Sequence, residues 1–426
     1  MSLNLNNLRL VRALKHRPIF ILWMGEAFSA IGDEIYKVAL VWLAVHMVGA
    51  DAGYLAAGQA AAVLLFGLIG GIWADHWDPR KTMLNVDLIR GALVLIPVAW
   101  VYFSPLNLPL LIFVALSVAS LSAFFEPALQ AVIPRLAPGR ELMQATNGLM
   151  GTTSRLARTV GPALIGSLTG ILPTIHFFTL NALTFVASAY AVRKLKAELP
   201  YTFLPNRPRV KPIAAVRAGF DLIRGNGPLQ YVLYGKAVAS GCWNIVLPLG
   251  IALLVQRTFP GDVRIYGWIL AAYGVGNLAS ALVLSNITMN RPYRTMGLGF
   301  ALLGLGFLGL SLSAYLPLML ACVAMAAVGG PMNDLAHIDI IQRSFRPEDL
   351  VRVVRFRLAV EFSGITLSLL LAPSLFHWFS PQVVIGLAGL GTFATGALGF
   401  WRYRERPAPP AKPAAMDSGS AALLNI

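Results

Sequence analysis

The sequence predicts an all-α polytopic membrane protein with twelve transmembrane helices in two pseudo-symmetric six-helix bundles. Three observations lead there. The 426 residues are 57% apolar and 12% charged, with a mean hydropathy of +0.68, whereas a soluble domain carries about 25% charged residues. The apolar residues gather into runs of about 20, the length of helix that crosses a hydrocarbon layer of ~30 Å. Between the runs, most of the 34 lysines and arginines fall on alternate connections, the asymmetry that insertion imposes on cytoplasmic loops.

Residues 1–17 form a basic amino terminus with Arg9, Arg12, Lys15 and Arg17. Pro18 then opens the first apolar run, and no small-residue cleavage site follows a short core, so this is a first span and not a removable signal peptide. Runs at 18–48, 53–74, 83–103, 107–128, 143–170 and 173–193 make a first bundle over 18–193. Residues 194–228 break the pattern with Pro200, Pro205, Pro208, Pro212 and clustered cations, then an amphipathic stretch from Ile213 to Ile223; they read as a cytoplasmic linker. Runs at 229–256, 265–286, 295–315, 317–341, 354–373 and 381–402 make a second bundle over 229–403. The Ala-, Pro- and Ser-rich residues 404–426 read as a disordered cytoplasmic tail. Arg257 and Arg264 stand on the side opposite the basic connections, which puts both termini and the linker in the cytoplasm and the chain in the inner (plasma) membrane. Pro138-Gly-Arg-Glu141-Leu142 and Arg346-Pro-Glu-Asp349-Leu350 echo each other half a chain apart, as a duplicated architecture would have it.

The net charge of +15 is scattered over short connections, so insertion accounts for it and a nucleic-acid partner is not expected. Cys242 and Cys322 lie inside apolar runs and read as packing residues. There is no Gly-x-x-x-x-Gly-Lys-Ser/Thr loop, His-Glu-x-x-His or Gly-x-Ser-x-Gly, which argues against an ATPase, a zinc hydrolase or a serine hydrolase. No cofactor or metal is expected, and any uphill work must come from an ion gradient.

Charges inside the runs are the candidate functional residues. At 100° per residue, Glu26, Asp33 and Lys37 fall within about 40° of one another, with Glu34 about 80° away. Facing lipid, three such charges would cost on the order of 8 to 10 kcal/mol, so the stripe must face a wet cavity or opposite charge. Asp33 or Glu26 is then a proton-accepting carboxylate, or the charges are structural, Asp33 with Lys37 at i,i+4 having the spacing of an internal ion pair. The fifth run brings Arg155 and Arg158 to mid-membrane before Gly161-Pro162-Ala-Leu-Ile-Gly166, whose glycines and proline permit a kink and close packing. Lys236, Trp243 and Asn244 in the seventh run, Asn333, Asp334 and His337 in the tenth, Glu126 in the fourth and Glu361 in the eleventh are further cavity candidates. Asp334 and His337 lie one turn apart but lack a third strong ligand for a metal. Asp87 and Arg90, at i,i+3, read as a structural pair.

The connection Gly71-Ile-Trp-Ala-Asp75-His-Trp-Asp78-Pro-Arg80-Lys81 resembles the loop between the second and third helices of the major facilitator superfamily, Gly71, Asp75, Arg80 and Lys81 fitting its pattern. Gly161-Pro162 to Gly166 is similar to the helix 5 motif of its proton-driven efflux branch, and Arg158 matches an arginine frequent in macrolide and siderophore exporters. Gly32-Asp33, Ala39-Leu40, Asp87 to Arg90, and Pro127-Ala128 through Pro134 to Asn147 extend the likeness over the first 200 residues or so. The resemblance implies a monomeric alternating-access transporter whose first, fourth, seventh and tenth helices line a central cavity. It implies proton-coupled export of a drug-like or amphipathic small molecule, with Asp33 and Glu26 as proton sites, Arg158 as their cationic partner or an anion contact, and residues 71–81 as a cytoplasmic gate. Arg155, Arg158 and Lys236 leave open an anionic cargo such as a siderophore, or a lysophospholipid; a membrane sensor or lipid-modifying enzyme is the remote alternative.

Overall fold

The computed structural model describes residues 13–73, 77–199, 212–284, 287 and 289–403. Among these residues are twelve long helices, one for each predicted run, and no strand. The first half comprises α1 (Arg17–Val48), α2 (Ala52–Trp73), α3 (Pro79–Trp100), α4 (Leu108–Leu136), α5 (Arg140–Leu168) and α6 (His176–Lys194). A short helix, α7 (Pro212–Ile223), leads into α8 (Gly227–Thr258), α9 (Val263–Leu284), α10 (Pro292–Ser311), α11 (Leu316–Ser344), α12 (Pro347–Trp378) and α13 (Pro381–Tyr403). The expected tail, 404–426, lies outside the described residues.

Nine stretches among the described residues are long and apolar enough to cross a membrane by length and composition. The first, Arg17–Gly67, takes in α1 and most of α2, while α5 and α6 are not among the nine. For α5 the reason is its polar residues: the helix packs against α1 of its own half and α9 of the other, and Asn147 and Ser154 on it line a cavity. Several helices outrun their predicted spans at the linker end, α4 reaching Leu136 and α12 beginning at Pro347. Hydropathy marks the hydrocarbon layer, whereas backbone hydrogen bonding carries a helix on into polar residues.

Local chemistry explains the ends and irregularities. Asp78 caps α3, accepting from the backbone N–H of Arg80 at 3.0 Å and Lys81 at 3.3 Å, with Pro79 as the first helical residue. Within α8, Pro248 lies in a π-helical turn from Ile245 to Gly250, where the ring's missing N–H and its steric demand are absorbed. The Pro248 carbonyl accepts from Tyr266 Oη of α9 at 2.8 Å. The amphipathic α7 packs on α12, with Phe220 and Phe356 ring centroids 5.8 Å apart.

The apolar core is joined at one end of the molecule and split at the other. One cluster contains Trp42, Val114, Ile165 and Phe178 of the first half together with Val246, Leu254, Tyr266 and Phe307 of the second. At this end Trp42 stacks on Tyr266, centroids 5.7 Å apart, and His377 Nε2 at the end of α12 lies 3.0 Å from Asp51 Oδ1 in the α1–α2 connection. At the opposite end, which holds the chain start and α7, each half closes on its own cluster: Met83, Phe125 and Val132 in the first, Leu233, Phe300 and Ile340 in the second. Among the described residues, the apolar cluster shared by the two halves therefore lies at the end remote from the basic connections.

Candidate functional site

Among the described residues, three groups of charged side chains join helices in the interior, and each is positioned by close helix contacts. The most enclosed is on α3. Arg90 is 3% exposed and ion-paired to Asp87, itself 0% exposed. Its guanidinium lies 4.3 Å from the Phe185 ring centre on α6 and 4.7 Å from that of Phe125 on α4, and Nη1 donates to Ser122 Oγ at 3.1 Å. Asp33 of α1 approaches the same Nη1 at 3.9 Å with its side chain 31% exposed. Arg90 is thus paired to one buried carboxylate and approached by a second at the edge of solvent. Two turns before Asp33, Glu26 has a buried carboxylate oxygen with no hydrogen-bond partner. Glu26 lines a cavity of about 310 Å³ with Ala30 of α1, Glu126 and Gln130 of α4, and Asn147 and Ser154 of α5. Glu126 accepts from Gln130 Nε2 at 2.9 Å.

The second group joins α1 to α5. Lys37 pairs with Glu34 at 2.8 Å, not with Asp33. The i,i+4 pair expected from sequence is thus replaced by an i,i+3 pair, because Asp33 is turned toward α3 and Glu34 toward α5. Gly161 makes this approach possible: a Cβ there would lie 2.6 Å from Glu34 Cβ. On the neighbouring face of α5, Gly166 and Pro162 receive Gly267 of α9, where a Cβ would sit 2.7 Å from the Pro162 carbonyl oxygen. The Gly161-Pro162 to Gly166 stretch therefore packs on both halves at once. Arg155 reaches across as well, donating to Asn277 Oδ1 of α9 at 3.1 Å.

Arg158 stands between those two faces of α5, in electrostatic range of Glu34 on α1 and of Tyr273 and Asp334 in the second half. The cation beside Asp33 in this structure is Arg90, at 3.9 Å, on α3.

The third group belongs to the second half. Lys236 of α8 donates to Asp334 Oδ1 at 2.5 Å and Asn333 Oδ1 at 2.9 Å on α11. Asn333 is anchored in turn through Nδ2 to the Gly329 carbonyl at 3.0 Å, and His337, 1% exposed, is buried one turn on. Glu361 of α12 accepts from Ser240 Oγ at 2.9 Å, and Asn244 donates to the Ser240 carbonyl at 2.9 Å. Trp243 donates through Nε1 to Tyr273 Oη of α9 at 2.7 Å.

Sequence reasoning missed Arg90 as the hub of the first group, and Tyr273 and Asn277 as the α9 partners. An arginine flanked by apolar residues within a run was the available signal for Arg90; nothing local marks Tyr273 or Asn277. Of the gate residues, Arg80 and Lys81 begin α3, the Gly71 backbone belongs to α2, and Asp75 and the surroundings of Gly71 lie outside the described residues. The described cavity is walled by α1, α4 and α5, so α5 joins the predicted lining helices.

Comparison with known proteins agrees with this architecture. Residues 12–355 match the transmembrane secretion effector family. The chain is 28% identical to an MFS-type transporter, YfiS, of Bacillus subtilis (strain 168), over 76% of this chain and 77% of the relative. It is 25% identical to the multidrug efflux pump Tap of Mycobacterium tuberculosis (strain ATCC 25618 / H37Rv), over 83% and 86%. With macrolide efflux protein A of Streptococcus pyogenes it shares 23% identity over 84% and 91%. Among solved structures, a POT family transporter in complex with a thioalcohol-conjugated peptide superposes with a TM-score of 0.70 at 12% identity, covering 90% of this chain and 95% of that one, which is a likeness of fold. With its helical architecture, its interior charges and this match, the chain belongs to the transmembrane secretion effector family of major facilitator transporters.

Proposed function

We propose that this protein exports an amphipathic small molecule across the plasma membrane by alternating access, with inward proton movement supplying the work. Twelve crossings, cytoplasmic termini and a monomer are part of this reading, supported by the one-sided distribution of basic connections and by relatives that are multidrug and macrolide efflux pumps. The apolar cluster that joins the halves at one end and the two separate clusters at the basic end, among the described residues, support a reading in which the cavity opens to the cytoplasm. Rocking the halves would close that end and open the other.

The observation that carries proton coupling is the asymmetry around Arg90. Removing one partner of a buried ion pair leaves an uncompensated charge, a loss of about 3 to 5 kcal/mol. Asp87 stays with Arg90 throughout, so Asp33 can take up a proton without leaving the guanidinium unpaired. Protonation then loosens α1 from α3, while release restores the contact. Glu26, with its unpartnered buried oxygen on the cavity wall, is the second carboxylate on the same path. Inverted vesicles accumulating a fluorescent efflux substrate under an imposed pH gradient provide the test. Accumulation abolished by a protonophore is expected; accumulation indifferent to the gradient and the protonophore would exclude proton coupling.

A further inference from the structure

The wall of the cavity carries the carboxylates Glu26 and Glu126, and beside it two arginines of α5, Arg155 and Arg158, stand without an acid in ion-pair contact among the described residues. Lys37 is balanced by Glu34 at 2.8 Å, and Lys236 by Asp334 at 2.5 Å. Arg155 has a neutral acceptor, Asn277. Arg158 has no ion pair or side-chain hydrogen bond among the described residues, and its side chain is exposed. It lies one turn beyond Ser154, and at 100° per residue within about 40° of it, so it continues the helix face on which Asn147 and Ser154 line the cavity. Lipid is excluded as its environment, since that face falls between the contacts of α5 with α1 and with α9.

A guanidinium held in a partly desolvated path is matched by an acid, whose two oxygens take its forked N–H groups. We propose that Arg158, assisted by Arg155 one turn away, is the recognition site for an anionic head group, carboxylate or phosphate, on the amphipathic solute. The half-buried Trp243, held edge-to-face on the buried Tyr273 by its indole N–H with centroids 6.1 Å apart, offers the nearby apolar surface, for Tyr273 precedes Gly274, where a Cβ would lie 2.9 Å from the Arg158 carbonyl oxygen. The proposal rests on the transport reading for the identity of the cavity, and adds the chemistry of the cargo.

Equilibrium binding to the full chain in nanodiscs, with no gradient present, tests it independently of proton coupling. The probes are four naphthyl compounds of similar size: 1-naphthylacetate, 1-naphthyl phosphate, 1-naphthalenemethanol and (1-naphthylmethyl)trimethylammonium. At least one anion is expected to bind about tenfold more tightly than the alcohol and the ammonium, and the stronger of the two identifies the acid. Arg158→Gln should bring that anion down to the affinity of the alcohol, while Arg158→Lys, which keeps charge without the fork, retains part of the preference. Asp33→Asn should keep the preference in full, whatever it does to gradient-driven movement. An ammonium that binds as well as either acid, or an anion preference undiminished in Arg158→Gln, would overturn the proposal. If Arg158→Gln fails to fold, wild type and Arg158→Lys decide between these outcomes.

Discussion

Arg90 in the first half and Lys236 in the second are both cations inside helices and both paired to aspartates, yet their settings differ. Arg90 and Asp87 are 3% and 0% exposed, enclosed by Phe125, Phe185 and Ser122 on neighbouring helices. Lys236 and Asp334 are 16% and 36% exposed and are linked across α8 and α11. The caged pair has a planar cation suited to aromatic faces; the open pair has a compact ammonium that water can still reach. On the proposed mechanism, the first half holds its pair as a fixed post beside which Asp33 changes charge, while the pair of the second half, partly exposed, is the one that water can enter.

The largest effect expected from this contrast is at Arg90. Arg90→Met strands Asp87 in an apolar cage, so a stability loss of about 3 to 5 kcal/mol is expected, seen as a drop in thermal unfolding temperature of the purified protein. Combining it with Asp87→Leu should recover part of the loss; recovery of none would mean that the cage and not the pair is decisive. Next comes the α5–α9 contact. At Gly274 a Cβ would lie 2.5 Å from Thr159 Oγ1 and 2.6 Å from Thr159 Cα, so Gly274→Val should force α5 and α9 apart and cost about 1 to 3 kcal/mol. Transport should fall while membrane insertion continues, and normal transport would show that these helices need not approach so closely.

Lys236→Met should be milder. Asp334 can recruit water, so the folding loss is expected to stay near 1 kcal/mol, with the defect appearing in transport. A collapse as severe as that of Arg90→Met would erase the distinction between the two pairs. The smallest effect is predicted at the sealed end, where His377 and Asp51 are 59% and 49% exposed. His377→Ala should change stability by less than about 1 kcal/mol, yet raise the labelling of a cysteine introduced on the cavity face of α5 from the outer side. Unchanged labelling would place the seal wholly in the Trp42–Tyr266 apolar cluster.

The helix count of the architecture was legible because burial in a bilayer writes long apolar runs, and all twelve predicted runs have a helix at their place. The interior charges were legible too, since a charge inside an apolar run is conspicuous. Their pairing was not. Asp33, Glu34 and Lys37 differ by small rotations on one helix, and the choice of partner depends on which neighbour each side chain meets: Arg90 from α3 for Asp33, and Lys37 itself for Glu34. Asn277 and Tyr273 lie in an otherwise ordinary apolar run and gain meaning only when α9 is laid against α5 and α8. Periodicity gives the face of a residue; it does not give the helix opposite.

The central claim, that Asp33 is a switchable charge beside a permanently paired Arg90, is tested most directly by Asp33→Asn in proteoliposomes. Substrate movement is measured with and without an imposed pH gradient. The account predicts a folded protein with the thermal stability of wild type, whose transport rate is the same in both conditions. A gradient-stimulated rate equal to that of wild type would contradict it.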